Sequence, residues 1–138
     1  MGLTVIDAGI LIGFFDESDA HHSGAKRELA NARERGDQIA VPASALAEAL
    51  VPPARDGQSS VMAIREFIER LPLVVAELDI EIAVVAARLR ARHGQNLKLP
   101  DALVIATAIQ KEAGVLVTTD RSWPTKSKLG FKGNLIRL

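Results

Sequence analysis

The sequence predicts an α/β protein with a mainly parallel β-sheet flanked by helices on both faces. Three observations carry this. Short apolar runs alternate with longer helical stretches along the whole chain, an order that right-handed crossovers turn into a parallel sheet. The runs are continuously apolar, as in strands buried on both faces. And 138 residues suit a single domain, which at this size buries roughly 70% of the surface its unfolded chain exposes. Residues 1–138 are therefore read as one domain.

The elements follow in order. Leu3-Thr-Val-Ile6 is a short buried strand that stops at Asp7, and Ala8 to Phe15 is an apolar helix. Asp16 to Asp19 is a polar loop. An amphipathic helix from about His22 to Arg35 is closed by Gly36. Gln38 to Val41 is the second strand. The alanine-rich stretch Pro42 to Val51 is helical, ended by Pro52-Pro53. Arg55 to Gln58 is a turn, and Ser59 or Ser60 caps a helix that runs to Arg70, broken at Pro72. Leu73 to Leu78 is the third strand. Asp79 caps a helix from Ile80 to Arg92 that ends at His93-Gly94. Gln95 to Leu99 is a loop. Pro100 suits the first turn of a helix reaching towards Gly114. Val115 to Thr118 is the fourth strand, and the tail from Asp120 is basic and irregular with a short last strand at Leu135-Ile136.

Composition narrows the function classes. Cysteine is absent, which excludes a disulfide framework, thiolate catalysis and cysteine-ligated zinc. Aromatic residues are 4% and tyrosine is missing, which argues against a base-stacking platform. No apolar run approaches the roughly 18 residues of a membrane span, and the first residues lack the basic start of a signal peptide. A soluble cytoplasmic protein is the expectation. The formal net charge is zero, yet residues 1–81 hold 14 acids against 7 bases and residues 82–138 hold 3 against 10. Such asymmetry marks an anionic partner or two halves that neutralise each other on folding.

Four acids fall at or after predicted strand ends, where open parallel sheets bind ligands. Asp7 follows the first strand, Glu48 lies on the helix after the second, Asp101 opens the helix before the fourth, and Asp120 stands two residues beyond it. Two unit charges about 4 Å apart repel by roughly 1 kcal/mol in water and roughly 4 kcal/mol at a surface-like dielectric. Something positive must offset a cluster of four. Ordinary ion pairs with Lys98 and Arg121 are one solution, and Asp101 alone favours a helix N-terminus. The other is an all-oxygen site for a hard divalent ion, Mg²⁺ or Mn²⁺, which binds carboxylates and water. That ion would acidify a bound water and clamp a phosphodiester oxygen, so in-line phosphodiester hydrolysis is the functional expectation.

The matching stretches Val5-Ile-Asp7-Ala, Phe15-Asp-Glu-Ser-Asp-Ala-His-His22, Ser44-Ala-Leu-Ala-Glu48, Leu97-Lys-Leu-Pro-Asp101 through Ala108, and Leu116-Val-Thr-Thr-Asp120 resemble, in order, the PIN-domain ribonucleases and among them the VapC-like toxins. The resemblance spans nearly the whole chain. It implies a three-layer sandwich and a metal-dependent endoribonuclease that is the toxin of a toxin–antitoxin pair. It also implies Asp7 and Asp101 as principal metal ligands, with Glu48 and Asp120 completing the ion or water shell. Thr118 matches the hydroxyl residue that supports the last acid. A homodimer and a cognate antitoxin are implied partners, and RNA is the implied substrate. One departure stands out: where the family often has Ser or Thr two residues after the first acid, this chain has Gly9.

Other features weigh less. Arg88, Arg90 and Arg92 do not share a helix face and read as cations at a helix C-terminus. Arg121, Lys126, Lys128 and Lys132 have no intervening acid and read either as phosphate contacts at the rim of the site or as a loose basic tail. His21-His22 reads as a helix start, and Trp123 as a packing anchor more than a base stacker. Two other functions fit the acids: a receiver-like Mg²⁺-binding signalling module, and a non-catalytic scaffold that binds RNA or protein.

Overall fold

A computed structural model describes residues 2–71 and 73–138. Five strands form one all-parallel sheet: β1 (Leu3–Ile6), β2 (Gln38–Pro42), β3 (Leu73–Ala76), β4 (Val115–Thr118) and β5 (Asn134–Arg137), in spatial order β3-β2-β1-β4-β5. The chain walks outward from β1 to β3, returns to lay β4 on the other side of β1, and adds β5. The order therefore reverses between β1 and β4, and a crevice opens beyond their carboxyl ends. A receiver-like module is built in the order 2-1-3-4-5, so the strand order removes that alternative.

Among the described residues eight α-helices connect and cover the strands: α1 (Ala8–Phe15), α2 (His22–Glu34), α3 (Ala43–Ala49), α4 (Val51–Asp56), α5 (Gln58–Arg70), α6 (Ile80–His93), α7 (Leu99–Gln110) and α8 (Lys126–Leu129). Every residue of β4, and all of β1 after Leu3, is buried. Successive strand side chains point to opposite faces, so both faces of the sheet centre are covered. The apolar cluster runs from Val5, Ile6, Leu116 and Val117 into Ile10 and Leu11 of α1, Ile82 of α6 and Ile105 of α7. Phe15 packs edge-on against Phe67 at a centroid distance of 5.0 Å and Phe14 packs tilted against it at 5.8 Å, which ties α1 to α5. No helix among the described residues is long and apolar enough to cross a membrane.

The differences from expectation are local. Pro52-Pro53 does not end a helix; the break comes at Leu50, and the prolines sit in the first turn of α4, where the missing N–H costs nothing. Arg55 and Asp56 are consequently helical. Gly57, at φ 138°, starts α5, and neither Ser59 nor Ser60 caps it. The predicted break at Pro72 lies outside the described residues. β3 ends at Ala76 and leaves Val74 and Val75 exposed, because it is an edge strand and not a doubly covered one. Leu99 already belongs to α7. The tail is more ordered than its composition implies: it holds α8 and pairs β5 with β4 over four residues.

Candidate functional site

Asp7 ends β1 and caps α1. Its Oδ1 accepts the Ile10 N–H at 3.0 Å, and its Oδ2 accepts the Thr118 hydroxyl at 2.5 Å. Thr118 is the last residue of β4, beside β1, and its Oγ also accepts the Asp120 N–H at 2.9 Å. One hydroxyl thus joins the first acid to the last. Asp120 folds into a tight turn in which its Oδ1 accepts the Ser122 N–H at 2.8 Å and the Ser122 hydroxyl at 2.6 Å. Asp101 lies in the first turn of α7, half-buried, and Glu48 projects from α3 at an exposed position.

Burial and neighbouring like charge act on three of these acids. Burial raises the Asp7 carboxyl above its ordinary pKa against the Thr118, Ile10 and Thr119 groups that favour its ionised form, and Asp120 adds to the rise. Glu48 is raised by burial and by Asp7. Asp101 is pushed up to about 6, first by burial, then by Asp120, with further contributions from Asp7 and Glu48; the Trp123 indole opposes the shift. Desolvation and like charges are the two causes that make a carboxylate hold its proton. Among the described residues no base pairs with these acids. Among the described residues the ion pairs are Arg27–Glu28 and Arg35–Asp37, both within the acidic half of the chain. Pairing of the four acids with Lys98 or Arg121 is therefore not what the fold builds, and the two halves are not neutralised by ion pairs between them.

Lys98 does line the same cleft, a space of about 420 Å³ bounded by Gln95, Asn96, Lys98, Asp101, Asp120 and Ser122. Gln95, Asn96 and Ser122 carried no chemical signal in the sequence; topology brings them there. Of the bases read as rim contacts, Arg121 donates to the Leu138 carbonyl at 3.1 Å and Lys126 to the Gly133 carbonyl at 3.1 Å, while Lys128 is exposed. Arg90 closes the C-terminus of α6 by donating to the carbonyls of Gly94 and Leu97. The His22 Nδ1–H donates to the Gly13 carbonyl at 2.8 Å, which fits a helix start and not a ligand pair.

Gly9 has a physical reason. A Cβ added there would stand 2.1 Å from the Thr119 Oγ, 3.1 Å from its Cβ and 3.2 Å from its Cγ2. The side chain of Thr119 fills the volume that a larger residue 9 would occupy, and it brings a hydroxyl with it. The sequence alone shows the missing hydroxyl at position 9; the fold shows that the Thr119 side chain stands against this glycine.

The donor set fits a hard divalent cation: carboxylate oxygens, no sulfur, and an electrostatic deficit that a cation would relieve. Among the described residues, however, no three Asp, Glu or His side chains already stand close enough to chelate one ion. Asp7 is fixed by its two hydrogen bonds, so closure would fall to Asp101, Glu48 and the free oxygen of Asp120.

The family model described as PIN domain matches residues 4–129. A 44-residue stretch, 32% of this chain, is 50% identical to 66% of the length of an uncharacterized protein of Archaeoglobus fulgidus. Among solved structures, VapC20 of Mycobacterium tuberculosis, described as a sarcin-ricin loop cleaving toxin, matches with a TM-score of 0.73 at 19% identity over 93% of this chain and 95% of that one. VapBC2 of Rickettsia felis, bound to a promoter DNA fragment, matches with a TM-score of 0.73 at 16% identity over 99% and 98%. A toxin–antitoxin complex from Klebsiella pneumoniae matches with a TM-score of 0.66 at 23% identity over 88% and 96%. These likenesses show a shared fold.

Proposed function

The chain belongs to the PIN domain family, and from that premise we propose that it is a divalent-metal-dependent endoribonuclease, the toxin of a toxin–antitoxin pair. One observation carries the reading: the carboxylates at and around the β1–β4 switch point feel one another's charge, and among the described residues no base pairs with them. A structural role would need a counter-charge within the chain; Asp37, at the opposite end of the sheet, has one in Arg35. In this reading Asp7 and Asp101 hold Mg²⁺ or Mn²⁺, and Glu48 and Asp120 support the ion and orient the attacking water. The ion, when bound, supplies a water of lowered pKa and charge on the phosphodiester oxygen.

The remaining steps belong to the chain's own residues. Thr118 favours the ionised form of Asp7 against the burial that raises its pKa, and holds Asp120 in register with it. Lys98, on the cleft wall beside Asp101, meets an RNA phosphate as it enters; Arg121, Lys126 and Lys128 lie farther along the tail and would contact the backbone outside the cleft. The solved relatives include a toxin described as cleaving the sarcin-ricin loop and a toxin–antitoxin complex, which supports an RNA substrate and a cognate antitoxin here. A homodimer would cover apolar side chains exposed on and after the β3 edge, Val74, Val75, Leu78 and Ile80. The purified protein is expected to cut RNA with Mn²⁺, and Asp7→Asn or Asp101→Asn to lose at least about a hundredfold of that rate, as for removal of a charge-stabilising group. Either variant cutting as fast as the parent rejects the assignment.

A second reading rests on one observation. Because no three ligands are preassembled, a non-catalytic scaffold that binds RNA or protein is the alternative. Calorimetry separates the two: a scaffold takes up no divalent ion.

A further inference from the structure

The cleft that holds Asp101 and Asp120 has a further wall with no acid in it, formed by Gln95, Asn96 and Lys98. Gln95 and Asn96 lie in a short 3₁₀ turn, Gly94–Asn96, between α6 and α7. That turn is braced on both sides of the two amide residues. Arg90 Nη1–H donates to the Gly94 carbonyl and, at 2.7 Å, to the Leu97 carbonyl. The Leu97 N–H donates to the Gly94 carbonyl at 3.2 Å. The Leu97 side chain is buried in the core cluster, and Gly94 turns the chain at φ 56°, where glycine is favoured. The backbone that carries Gln95 and Asn96 is thus fixed, while both side chains are exposed on the cleft wall. A recognition site needs that combination, since a contact set by a braced backbone loses little order on binding.

The chemistry of the two side chains narrows the ligand. A carboxamide carries a donor beside an acceptor. Unpaired RNA bases are read on their Watson–Crick and Hoogsteen edges. Adenine matches a carboxamide on both: N6–H with N1 on the first, N6–H with N7 on the second. Guanine offers two acceptors, N7 and O6, on its second edge, and pyrimidines have no ring nitrogen there. Two neighbouring amides therefore suit adenine better than any other base. We propose that Gln95 and Asn96 are specificity-determining residues, which read one unpaired adenine next to the phosphodiester bound at Asp101 and Asp120. This rests on the nuclease reading above, and Arg90 serves it by holding the turn in place.

The test uses the full chain, Mn²⁺ and a random-sequence pool of single-stranded RNA, with the cut ends sequenced. Adenine is expected to be enriched about tenfold at one position beside the cut, as for a good bidentate contact. The Gln95→Ala/Asn96→Ala double variant should lose that enrichment, and on an adenine-containing substrate its KM should rise more than its kcat falls. Cutting by the parent with no adenine preference overturns the proposal. So does a double variant that keeps the parent's preference. A parent or double variant that cuts no RNA moves the decision to fluorescence anisotropy with short labelled oligo(A), oligo(C) and oligo(U), and in the parent's case rejects the nuclease reading itself. Tighter binding of oligo(A) by the parent, lost in the double variant, then upholds the amide assignment. Equal binding of the three, or a preference unchanged in the double variant, overturns it.

Discussion

Glycine and threonine trade volume at the centre of this site. Gly9 sits in the first turn of α1, where alanine would ordinarily improve a helix by up to about 1 kcal/mol. Here a Cβ meets Thr119 Oγ at 2.1 Å with the Thr119 Cβ and Cγ2 close behind. Rotating χ1 can swing the hydroxyl away, but the Thr119 Cβ itself stays at 3.1 Å, so the local packing would have to yield, at about 1–3 kcal/mol. Overpacking wins, and Gly9→Ala is expected to destabilise by about 1–2 kcal/mol in urea denaturation. Thr119→Ala removes the atom in contact at 2.1 Å and leaves its own Cβ at 3.1 Å, so the double variant should recover most of that loss. A coupling energy of about 1 kcal/mol or more is expected from the cycle; strict additivity would mean that the two side chains do not share this space. Asp7 shows the other side of residue-scale reading. Its acid, its position after a strand and its neighbours were all visible in the sequence, whereas the Thr118 hydroxyl that bridges it to Asp120 depends on β1 and β4 being paired.

Elements were legible where one local signal dominated. Asp79 before an apolar-periodic stretch became the cap of α6, its Oδ1 accepting the Ile82 N–H at 2.9 Å. Asp79→Ala is expected to cost about 1 kcal/mol and to lower Tm by about 4 °C, read by thermal melting. Elements were misread where two signals competed: Pro52-Pro53 is a stop after one helix and a start for the next, and only packing decides which. The tail was misread for a different reason, since β5 is short, half-buried and made by its pairing with β4 more than by its own composition. At the amino end of the sheet, α2, β1 and β2 meet in a clamp. Thr4 donates to Asp37 Oδ2 at 2.8 Å, and Arg35 Nε donates to the same oxygen at 3.1 Å. Burial pushes the Asp37 carboxyl up, but the Thr4 hydroxyl and Arg35 outweigh it and hold the pKa below its ordinary value. A depressed carboxyl stabilises the fold above its unfolded pKa, here 3.8, and loses that contribution as pH falls through the folded value. Asp37→Asn should therefore be less stable than the parent at pH 7, and chemical denaturation should show the gap closing below about pH 4. A gap that persists unchanged into acid rules out the ion pair as its source.

Across the whole molecule the two ends of the sheet are opposite in electrostatic design. The amino end holds a compensated acid, and the carboxyl end holds acids whose burial and like charge no base offsets among the described residues. That opposition fixes the sign of the last prediction. Asp101 has a folded pKa raised from 3.8 to about 6. A raised carboxyl contributes stability that is fully present below the unfolded value and is lost as pH climbs through the folded one. Metal-free protein should therefore lose stability between about pH 4 and pH 6, with Asp7 and Glu48, also raised, acting in the same direction. A bound divalent ion reverses this, because it needs the ionised carboxylates; at a hundredfold excess over its Kd it adds roughly 2.7 kcal/mol. Melting curves with and without Mg²⁺ should separate widely at pH 7.5 and converge near pH 4. Asp101→Asn should melt higher than the metal-free parent at pH 7.5 and respond little to Mg²⁺, trading function for stability. Equal Mg²⁺ responses at both pH values, or an Asp101→Asn variant less stable than the metal-free parent at pH 7.5, would show that the acids at the β1–β4 crevice are not the strained, cation-seeking set that their burial and mutual repulsion describe.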